Sequence, residues 1–360
     1  MSLKSKLIDM YRRRPFWREI KRLRENRKDL WKEAVKRFED EKPVHGSLSE
    51  YRKALNKYRV SYDEYMRFFE FWRIDKKQWK EYISEKEMKC IYRKTIQKDV
   101  GWCFKNKAQT LETFEKYVLR KWIIVSDVSF DVFSEFVSAS DCIVKPQYGT
   151  MGLGVMKLKK EDSKDLPQLY QYCRENYMMV EECVTECAEL ADFHPQSLNT
   201  IRVYTISNAG RCELLTVGFR MGRGDNVIDN VSNGGIHVIV DVDTGTALKE
   251  GTDKEGNKYK NHPDTNKPIV GFCIPHWNKV VEACKEMTKI LPDVVFAGWD
   301  ICVLPNGEVE LIEANSTPNI GILQDPLKVG LKPKLSNIGK EVLGYDPLKL
   351  ISIWSKSYVK

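Results

Sequence analysis

The feature that most constrains the fold is a predicted β-hairpin near the C-terminal end of the chain. Two β-rich runs, Asp300–Leu304 and Glu308–Glu313, flank the tripeptide Pro-Asn-Gly, which is typical of a hairpin turn. Asp300, Glu313 and Asn315 stand at strand ends, where their oxygen atoms can converge. Two carboxylates and an amide are ligands that Mg²⁺ takes when it also holds substrate phosphates. The hairpin therefore predicts a site for Mg²⁺, with Mn²⁺ as the alternative metal, unless these are ordinary acids on an exposed hairpin.

The composition predicts a cytoplasmic protein with two or three lobes. The chain has 360 residues, which is more than one average domain. No apolar run approaches the roughly 20 residues that cross a bilayer, and the N-terminus leads into charge rather than into a signal sequence. The ten cysteines are scattered without a Cys-x-x-Cys pair. This pattern favours free thiols in a reducing compartment and argues against a structural zinc site.

The basic excess lies in the first quarter of the chain. Residues 1–100 contain 29 basic and 17 acidic residues, whereas the remainder contains 30 and 34. Within residues 1–40, apolar side chains recur close to a 3.6-residue repeat between Arg and Lys, which predicts a basic amphipathic helix. This helix either contacts an anionic membrane surface or packs on its own protein with a solvated basic face. Nucleic acid is not an expected partner, because Gly-rich and aromatic binding motifs are missing.

A second helical block, Ser61–Trp72, carries a stripe of aromatic side chains. Ser61 and Glu64 have the spacing of a capping box. The stripe is expected to pack as core against the rest of the protein.

Residues 141–158 predict a glycine-rich loop between two strands. The first strand ends at Lys145, glycines follow at 149, 152 and 154, and a second apolar strand comes next. Glycines let backbone N–H groups approach phosphate oxygens, and the lysine places positive charge beside them. The loop is neither a Rossmann fingerprint nor a Walker A motif, because a strand follows it and Gly-Lys-Ser/Thr is absent. It predicts a phosphate site or, alternatively, a simple hairpin.

Two further strands carry charged residues that suit the same chemistry. The run Tyr177–Val184 ends in acids, which is typical of a hinge that binds adenine through its backbone or of an edge strand. Glu189 follows it and is a candidate ligand for ribose hydroxyls. Arg202 lies within the alternating run Ser197–Ile206, and Arg220 ends the next predicted strand. An arginine that faces a cleft suits bidentate recognition of a phosphate or carboxylate.

Two loops follow these strands. Asp229–Ile236 contains Asn230 and a Gly-Gly pair and resembles a phosphate-proximal loop. Residues 251–268 are polar and contain Gly and Pro, which predicts a surface excursion.

The order of these parts resembles the ATP-grasp superfamily over about residues 100–325. The parts are a lysine with a glycine-rich loop, an acidic hinge, arginine-bearing strands, an Asn before Gly-Gly, and a final Asp…Glu-x-Asn. The sugar-transfer-associated ATP-grasp proteins are the most similar variety, through the segment His194–Arg202 and the aromatic block near Tyr65. That subfamily is associated with bacterial surface-polysaccharide loci.

The resemblance implies an α+β ATP-grasp fold, in which two α+β lobes grip ATP between antiparallel sheets. A basic helical N-terminal region at residues 1–98 would precede a catalytic body at residues 99–325, and a tail at residues 326–360 would pack on that body. Within the body, residues 99–185 would include the glycine-rich loop, and residues 186–325 would carry the arginines and the metal.

The resemblance, which extends to the ribosomal-protein glutamate ligases of the same superfamily, also implies residue roles. Three catalytic residues would stabilise the transferring phosphoryl group or the acyl phosphate, namely Arg202, Arg220 and Lys145. The metal ligands would be Asp300, Glu313 and Asn315. ATP would be bound by the lysines, the mobile loop, the hinge and the loop asparagine, namely Lys105, Lys107, Lys145, Gln147, Gly149, Thr150, Gly152, Gly154, Glu181, Glu182, Cys183, Val184, Glu189 and Asn230.

One departure concerns the acceptor. The glutamate ligases carry a basic residue before the asparagine, whereas Val227-Ile228-Asp229 stands here. Glutamate is therefore not the predicted acceptor.

Together these features predict an ATP- and Mg²⁺-dependent carboxylate-amine ligase that forms an amide through an acyl phosphate. Its substrates would be small molecules, such as an amino sugar or a precursor of a bacterial surface polysaccharide, in the cytoplasm or at the inner face of the membrane. The nucleotide motifs specify only the first half of this reaction. A kinase of a hydroxyl or amine acceptor is therefore the alternative, which a general base such as Asp229 or His237 would favour, and a nucleotide-binding scaffold without turnover is the third hypothesis. The oligomeric state does not follow from the sequence.

Overall fold

The structure is a computed structural model that describes residues 27–96, 103–149, 154–162, 165–225, 229, 231–324 and 330–351. It consists of two antiparallel sheets and a set of surrounding helices. The helices are α1 (Arg27–Glu41), α2 (Leu48–Tyr58), α3 (Glu85–Thr95), α4 (Lys107–Thr113), α5 (Phe130–Ala139), α6 (Leu166–Glu175), α7 (Ala188–Ala191), α8 (Trp277–Ile290) and α9 (Lys332–Leu343). The strands are β1 (Trp122–Ile124), β2 (Cys142–Pro146), β3 (Met156–Leu158), β4 (Met178–Glu182), β5 (Ile201–Asn208), β6 (Arg211–Met221), β7 (Ile236–Val240), β8 (Gly251–Thr252), β9 (Lys258–Tyr259), β10 (Phe296–Val303) and β11 (Val309–Asn315).

The smaller sheet has the strand order β1-β4-β2-β3. The predicted glycine-rich loop joins β2 to β3, and the predicted hinge strand is β4, which pairs with β2 in the centre of the sheet. Helices α5 and α6 cover one face, where Phe133, Val144 and Val180 belong to one buried cluster. On the other face Met179 packs on Ala108 and Leu111 of α4, and Lys145, the register partner of Met179, lies beside this small cluster.

The larger sheet has the strand order β11-β10-β5-β6-β7-β8-β9. On one face Val203, Phe219 and Trp299 pack with α8 in the main core. The opposite face packs on α3 and α9 at one end, through Tyr204 and Phe296. Because side chains alternate along a strand, Arg202 and Asp300 share this second face.

The predicted surface excursion at residues 251–268 is wrong in part. Strands β8 and β9 lie within it and extend the larger sheet. Asp253 and His262 are each only 1% exposed. Their hydrogen bonds, including one from the Tyr259 hydroxyl to Asp253 at 2.8 Å, let polar side chains be buried here.

The helical N-terminal part has a core of its own. The predicted helix over residues 1–40 is described from Arg27 onward, and residues 1–26 lie outside the described residues. Aromatic rings dominate the core, as in the stacked pair Phe71 and Trp79, whose centroids are 4.8 Å apart. Ser61 and Glu64 make both hydrogen bonds of the predicted capping box. In place of the long helix predicted over Ser61–Trp72, the structure has a π-helical turn over Glu64–Phe68.

Among the residues that the structure describes, no helix combines the length and the apolar character needed to cross a bilayer.

Candidate active site

The predicted hairpin is present and forms one edge of the larger sheet. Asp300 on β10 is the register partner of Glu313 on β11, and Gly298 is the partner of Asn315. Cross-strand partners point to the same face, so the three predicted metal ligands lie side by side. Asp300 is buried, whereas Glu313 and Asn315 are partly exposed.

Two arginines converge on Asp300 from the neighbouring strands. Arg202 on β5 is the register partner of Asp300, and its Nε and Nη2 atoms donate to the two carboxylate oxygens. Arg220 on β6 places Nη2 3.1 Å from Asp300 Oδ2. Burial alone would raise the pKa of Asp300, but the charges of both arginines hold it below its ordinary value. The carboxylate is therefore ionised and paired.

Arg220 is held from its other side by Thr200 and Asp229. Its Nη2 donates to Thr200 Oγ1 at 2.6 Å, and its Nε lies 3.6 Å from Asp229 Oδ2. The Thr200 backbone N–H and hydroxyl both donate to that same oxygen of Asp229. Burial raises the pKa of Asp229, which Arg220 partly offsets. Asp229, a candidate general base for the kinase hypothesis, is thus already engaged in orienting Arg220.

Two lysines add positive charge near this region, one on the smaller sheet and one at the start of α4. Lys145 on β2 is buried and forms an ion pair with Glu181 on β4. Lys107 begins α4 and donates through Nζ to the Gly149 carbonyl at 2.8 Å. Burial lowers the pKa of Lys107. The positive charge of Lys145 lowers it further, whereas the carboxylates of Glu313 and Glu181 raise it. Lys107 is therefore close enough to Glu313 on the hairpin and to Lys145 on β2 for their charges to change its pKa.

The glycine-rich loop is anchored at its first end by the start of α4. The Lys107 backbone N–H donates to the Gln147 carbonyl at 2.9 Å. Gly149 and Gly154 both have positive φ, +135° and +77°, a backbone conformation that glycine adopts without strain. Lys105 is exposed two residues before Lys107. Three predicted ATP ligands lie outside the described residues, namely Thr150, Gly152 and Asn230.

Arg120 joins the two sheets and was not predicted as a site residue. Its guanidinium donates to Glu181 Oε2 at 2.8 Å and to a carboxylate oxygen of Glu310 on β11. It also donates to the Leu311 carbonyl at 2.7 Å. All three charged side chains are buried, and the two basic partners, Arg120 and Lys145, hold the pKa of Glu181 below its ordinary value although burial opposes this. The hinge carboxylate is therefore part of an inter-sheet ion network.

The predicted adenine segment borders a cleft of about 380 Å³. The residues after β4 line one side, from Glu182 to Thr185, and the hairpin turn Leu304–Asn306 lines another. Glu182 accepts a hydrogen bond from the Lys121 backbone N–H at 2.9 Å. Glu189 lies exposed in the first turn of α7. Cys183 and Val184 line this cleft opposite the hairpin turn, and the Cys183 backbone N–H is already bonded to the Asp141 carbonyl at 2.8 Å.

The donor set at the hairpin fits Mg²⁺ chemically. Two carboxylates and one amide oxygen lie on one face, and such hard ligands hold Mg²⁺ together with substrate phosphates. Among the described residues there is no group of three or more His, Cys, Asp or Glu side chains that could hold a metal ion alone. A metal here would thus depend on Asn315 and on the phosphates of the nucleotide.

The chain is distantly similar to several solved enzyme structures. The ATP-grasp ligase PsnB complexed with its minimal precursor, Mg and ADP has 12% identity and a TM-score of 0.42, over 70% of this chain and 61% of that chain. The L-amino acid ligase from Bacillus licheniformis has 12% identity and a TM-score of 0.37, over 69% of this chain and 47% of that chain. The VanG D-Ala:D-Ser ligase from Enterococcus faecalis has 12% identity and a TM-score of 0.41, over 69% of this chain and 60% of that chain. The chain thus spans less than two thirds of the length of each of these solved chains.

No curated protein matches the chain. The family model described as sugar-transfer associated ATP-grasp matches residues 105–340. This match covers well over half of the 360 residues. The chain therefore belongs to the sugar-transfer associated ATP-grasp family and has the α+β ATP-grasp fold.

Proposed function

We propose that the chain is an ATP-dependent carboxylate-amine ligase that activates a carboxylate as an acyl phosphate and transfers it to an amine. The observation that carries the proposal is the convergence of Arg202 and Arg220 on Asp300, next to the region that holds Lys107 and Lys145. Cationic groups from two sheets are thereby collected around one space. Such an arrangement suits the stabilisation of charge on a transferring phosphoryl group.

Asp300, Glu313 and Asn315 would hold Mg²⁺. The bound ion would neutralise phosphate oxygens of ATP. Arg202 and Arg220 would then exchange part of their contact with Asp300 for the phosphoryl oxygens, since a phosphate offers them the same bidentate geometry as a carboxylate. Asp300 would in this way serve two partners, first the arginines and then the metal.

The reaction would proceed in two displacements. A carboxylate oxygen attacks the γ-phosphorus of ATP, the bond to the β-phosphate oxygen breaks, and ADP leaves. An amine nitrogen then attacks the acyl carbon, the C–O bond to phosphate breaks, and the amine proton passes to solvent. The arginines and Lys145 would neutralise charge on the phosphoryl group, while Lys107 would hold the glycine-rich loop at Gly149. Neither displacement requires a nucleophile from a side chain.

The family description favours a sugar-linked substrate. Membership of the sugar-transfer associated ATP-grasp family supports a carboxylate or amine on a sugar, such as a uronic acid, an amino sugar or a precursor of a bacterial surface polysaccharide. A cytoplasmic location, where ATP and Mg²⁺ are present, is part of this proposal.

The test is nucleotide consumption with Mg²⁺ and a mixed panel of amino acids, amino sugars and uronic acids, followed by ³¹P NMR. A ligase releases ADP and free phosphate in equal amounts, and only when both a carboxylate and an amine are present. Arg220→Ala should abolish this turnover, whereas Arg211→Ala, on the exposed end of the same strand, should retain it. ADP with a new phosphorus resonance on an acceptor would instead establish a kinase. Nucleotide binding without consumption under any pair would support a scaffold.

A further inference from the structure

A strap of residues 316–324 runs on directly from the hairpin and lies across the larger sheet. It begins one residue after Asn315, the last residue of β11. A Cβ atom placed on Gly298 would lie 2.6 Å from Pro318 Cβ, and one placed on Gly218 would lie 2.7 Å from Leu323 Cδ2. The strap therefore rests on β10 and β6, at positions that only glycine leaves open. It crosses the face that carries Arg202 and Asp300.

Two buried tyrosines bind the backbone of this strap. The Tyr92 hydroxyl, from α3, donates to the Pro318 carbonyl at 2.7 Å, and the Tyr204 hydroxyl, from β5, donates to the Asn319 carbonyl. Each tyrosine is only 3% exposed. Two consecutive carbonyls of the strap are thus bound by two different elements, α3 of the helical N-terminal part and β5 of the sheet. Asn315 precedes Pro318 by three residues and pairs with Gly298 in the sheet, so the strap continues directly from this candidate ligand.

The far end of the strap is also fixed by the helical part. Gln324 is fully buried, and its side-chain amide accepts from the Ile83 backbone N–H at 2.9 Å and donates to the Ile83 carbonyl at 2.8 Å. Glu64 Oε1 accepts from the Glu85 backbone N–H at 2.6 Å and lies 3.6 Å from a Cβ placed on Gly321. The helical part therefore contacts the strap at its start, middle and end.

We propose that Tyr92 and Tyr204 are positioning residues for the candidate metal ligand Asn315, and that the helical N-terminal part is a working component of the active site. This inference rests on the proposed function. Partners that orient a ligand from behind typically change metal affinity by about 10- to 100-fold when removed, because the ligand then samples unproductive positions. The Tyr92 hydroxyl acts through the strap, whereas Tyr204 also lies beside Arg202, whose guanidinium carbon is 6.0 Å from the centre of the Tyr204 ring.

The test measures Mn²⁺ binding in the presence of ADP by electron paramagnetic resonance, with Mn²⁺ in place of Mg²⁺. Tyr92→Phe and Tyr204→Phe should each weaken Mn²⁺ binding roughly tenfold and leave the affinity for ADP without metal unchanged. Tyr65→Phe is the matched control, since Tyr65 lies in the aromatic core of the helical part, and it should leave both affinities unchanged.

The outcomes separate this inference from the proposed function. If the natural sequence binds Mn²⁺ with ADP and both variants bind it equally well, the positioning role is overturned. A fall in metal-free ADP affinity and in thermal stability, in proportion to the loss of metal affinity, would show a merely structural contact and would also overturn it. If the natural sequence itself does not bind Mn²⁺ with ADP, the metal site of the proposed function fails instead.

Discussion

Arg202 and Asp300 are register partners on adjacent antiparallel strands and form a bidentate ion pair. Arg220 adds a second cation to the same carboxylate, at 3.1 Å. Asp300 is 2% exposed, so its charge is separated from water and compensated almost wholly by these guanidinium groups. A metal ion that approached alone would meet two cations, whereas a nucleotide would bring the phosphate oxygens that both arginines bind. Metal and nucleotide binding at this carboxylate should therefore be coupled.

The first prediction is that removing one side of this pair destabilises the fold more than removing both. Arg202→Met leaves Asp300 buried with Arg220 alone and should lower the free energy of unfolding by about 3 kcal/mol. Arg202→Met combined with Asp300→Asn removes both charges and should restore part of this loss. Urea denaturation of the three proteins measures the difference. Equal stability of the single and double variants would contradict a paired buried carboxylate.

The second prediction concerns pH and Glu186. Burial raises the pKa of Glu186 to about 8, against the opposing hydrogen bonds from Asn199. Between its ordinary value of 4.5 and about 8, the folded protein keeps a proton on Glu186 that the unfolded protein has released. The contribution of Glu186 to the free energy of unfolding is therefore fully present below pH 4.5 and is lost as the pH rises through about 8. The slope is at most about 1.4 kcal/mol per pH unit.

Glu186→Gln should reduce this dependence, because glutamine fills the same space without ionising, while Glu64, whose pKa burial raises to about 7, still contributes a slope. Unfolding free energies at pH 5, 6, 7 and 8 measure the slope. Glu189→Gln, at an exposed neighbouring position, is the control and should keep the slope of the natural sequence. An unchanged slope in Glu186→Gln would assign the whole pH dependence to other groups such as Glu64.

Much of the fold could be predicted from local pattern. The hairpin was predicted from two β-rich runs and a Pro-Asn-Gly turn, and it is present as β10 and β11. Family membership and the ATP-grasp fold, predicted from the order of the motifs, are confirmed by the family match. The predicted excursion at residues 251–268 is wrong in part because buried hydrogen bonds, not local composition, decide whether polar side chains such as Asp253 enter the interior. The predicted domain boundaries and the residue roles stay predictions.

The contacts within the candidate site could not be predicted from local sequence patterns. Alternation along β5 predicts the face on which Arg202 lies, but not that Asp300 is its neighbour, because the strand order is a long-range property. Arg120 bonds Glu310 across 190 residues of sequence, and Tyr92 bonds Pro318 across 226. Neither residue has a local signal that distinguishes it. Residues so distant in sequence meet only in the folded structure, so these contacts could not be predicted from the sequence.

The third prediction concerns the segment that follows Arg220. A Cβ atom at Gly222 would lie 2.1 Å from Ser197 Oγ and 2.4 Å from His194 Nδ1. His194 also bonds the Gly224 carbonyl through Nε2 at 2.8 Å, so it cannot move aside without releasing this segment. Gly222→Ala should therefore displace Arg220 and lower kcat/KM at least about 100-fold, as expected for a misplacement near 1 Å. Steady-state kinetics with the identified substrates measures the loss.

The control for this variant is Gly210→Asn in the turn between β5 and β6. Gly210 has a φ of +80° and open space around its Cα, and asparagine tolerates that backbone conformation. It should retain full activity. Normal kinetics in Gly222→Ala would show that Arg220 does not depend on the neighbouring histidine for its position.

The fourth prediction concerns the ion network between the sheets. Arg120→Met would leave Glu310 without its guanidinium partner and Glu181 with Lys145 alone. Because the carboxylates are buried, the loss should be about 3 to 5 kcal/mol of unfolding free energy. Adding Glu310→Gln should recover part of it by removing one unpaired charge. Denaturation midpoints of the two proteins test this, and an unchanged midpoint in Arg120→Met would show that the network contributes little.

The fifth prediction separates the two lysines that precede the glycine-rich loop. Lys107 is partly buried, bonds the Gly149 carbonyl and lies near Glu313, whereas Lys105 is exposed. Lys107→Ala should raise the KM for ATP about 10- to 100-fold, the effect of losing a charge-assisted hydrogen bond, because both the loop and the phosphates lose one cation. Lys105→Ala should change it less than about twofold, since an exposed lysine contributes little. Titration with ATP at fixed Mg²⁺ measures both constants, and a larger effect from Lys105 would transfer the phosphate-binding role to that residue.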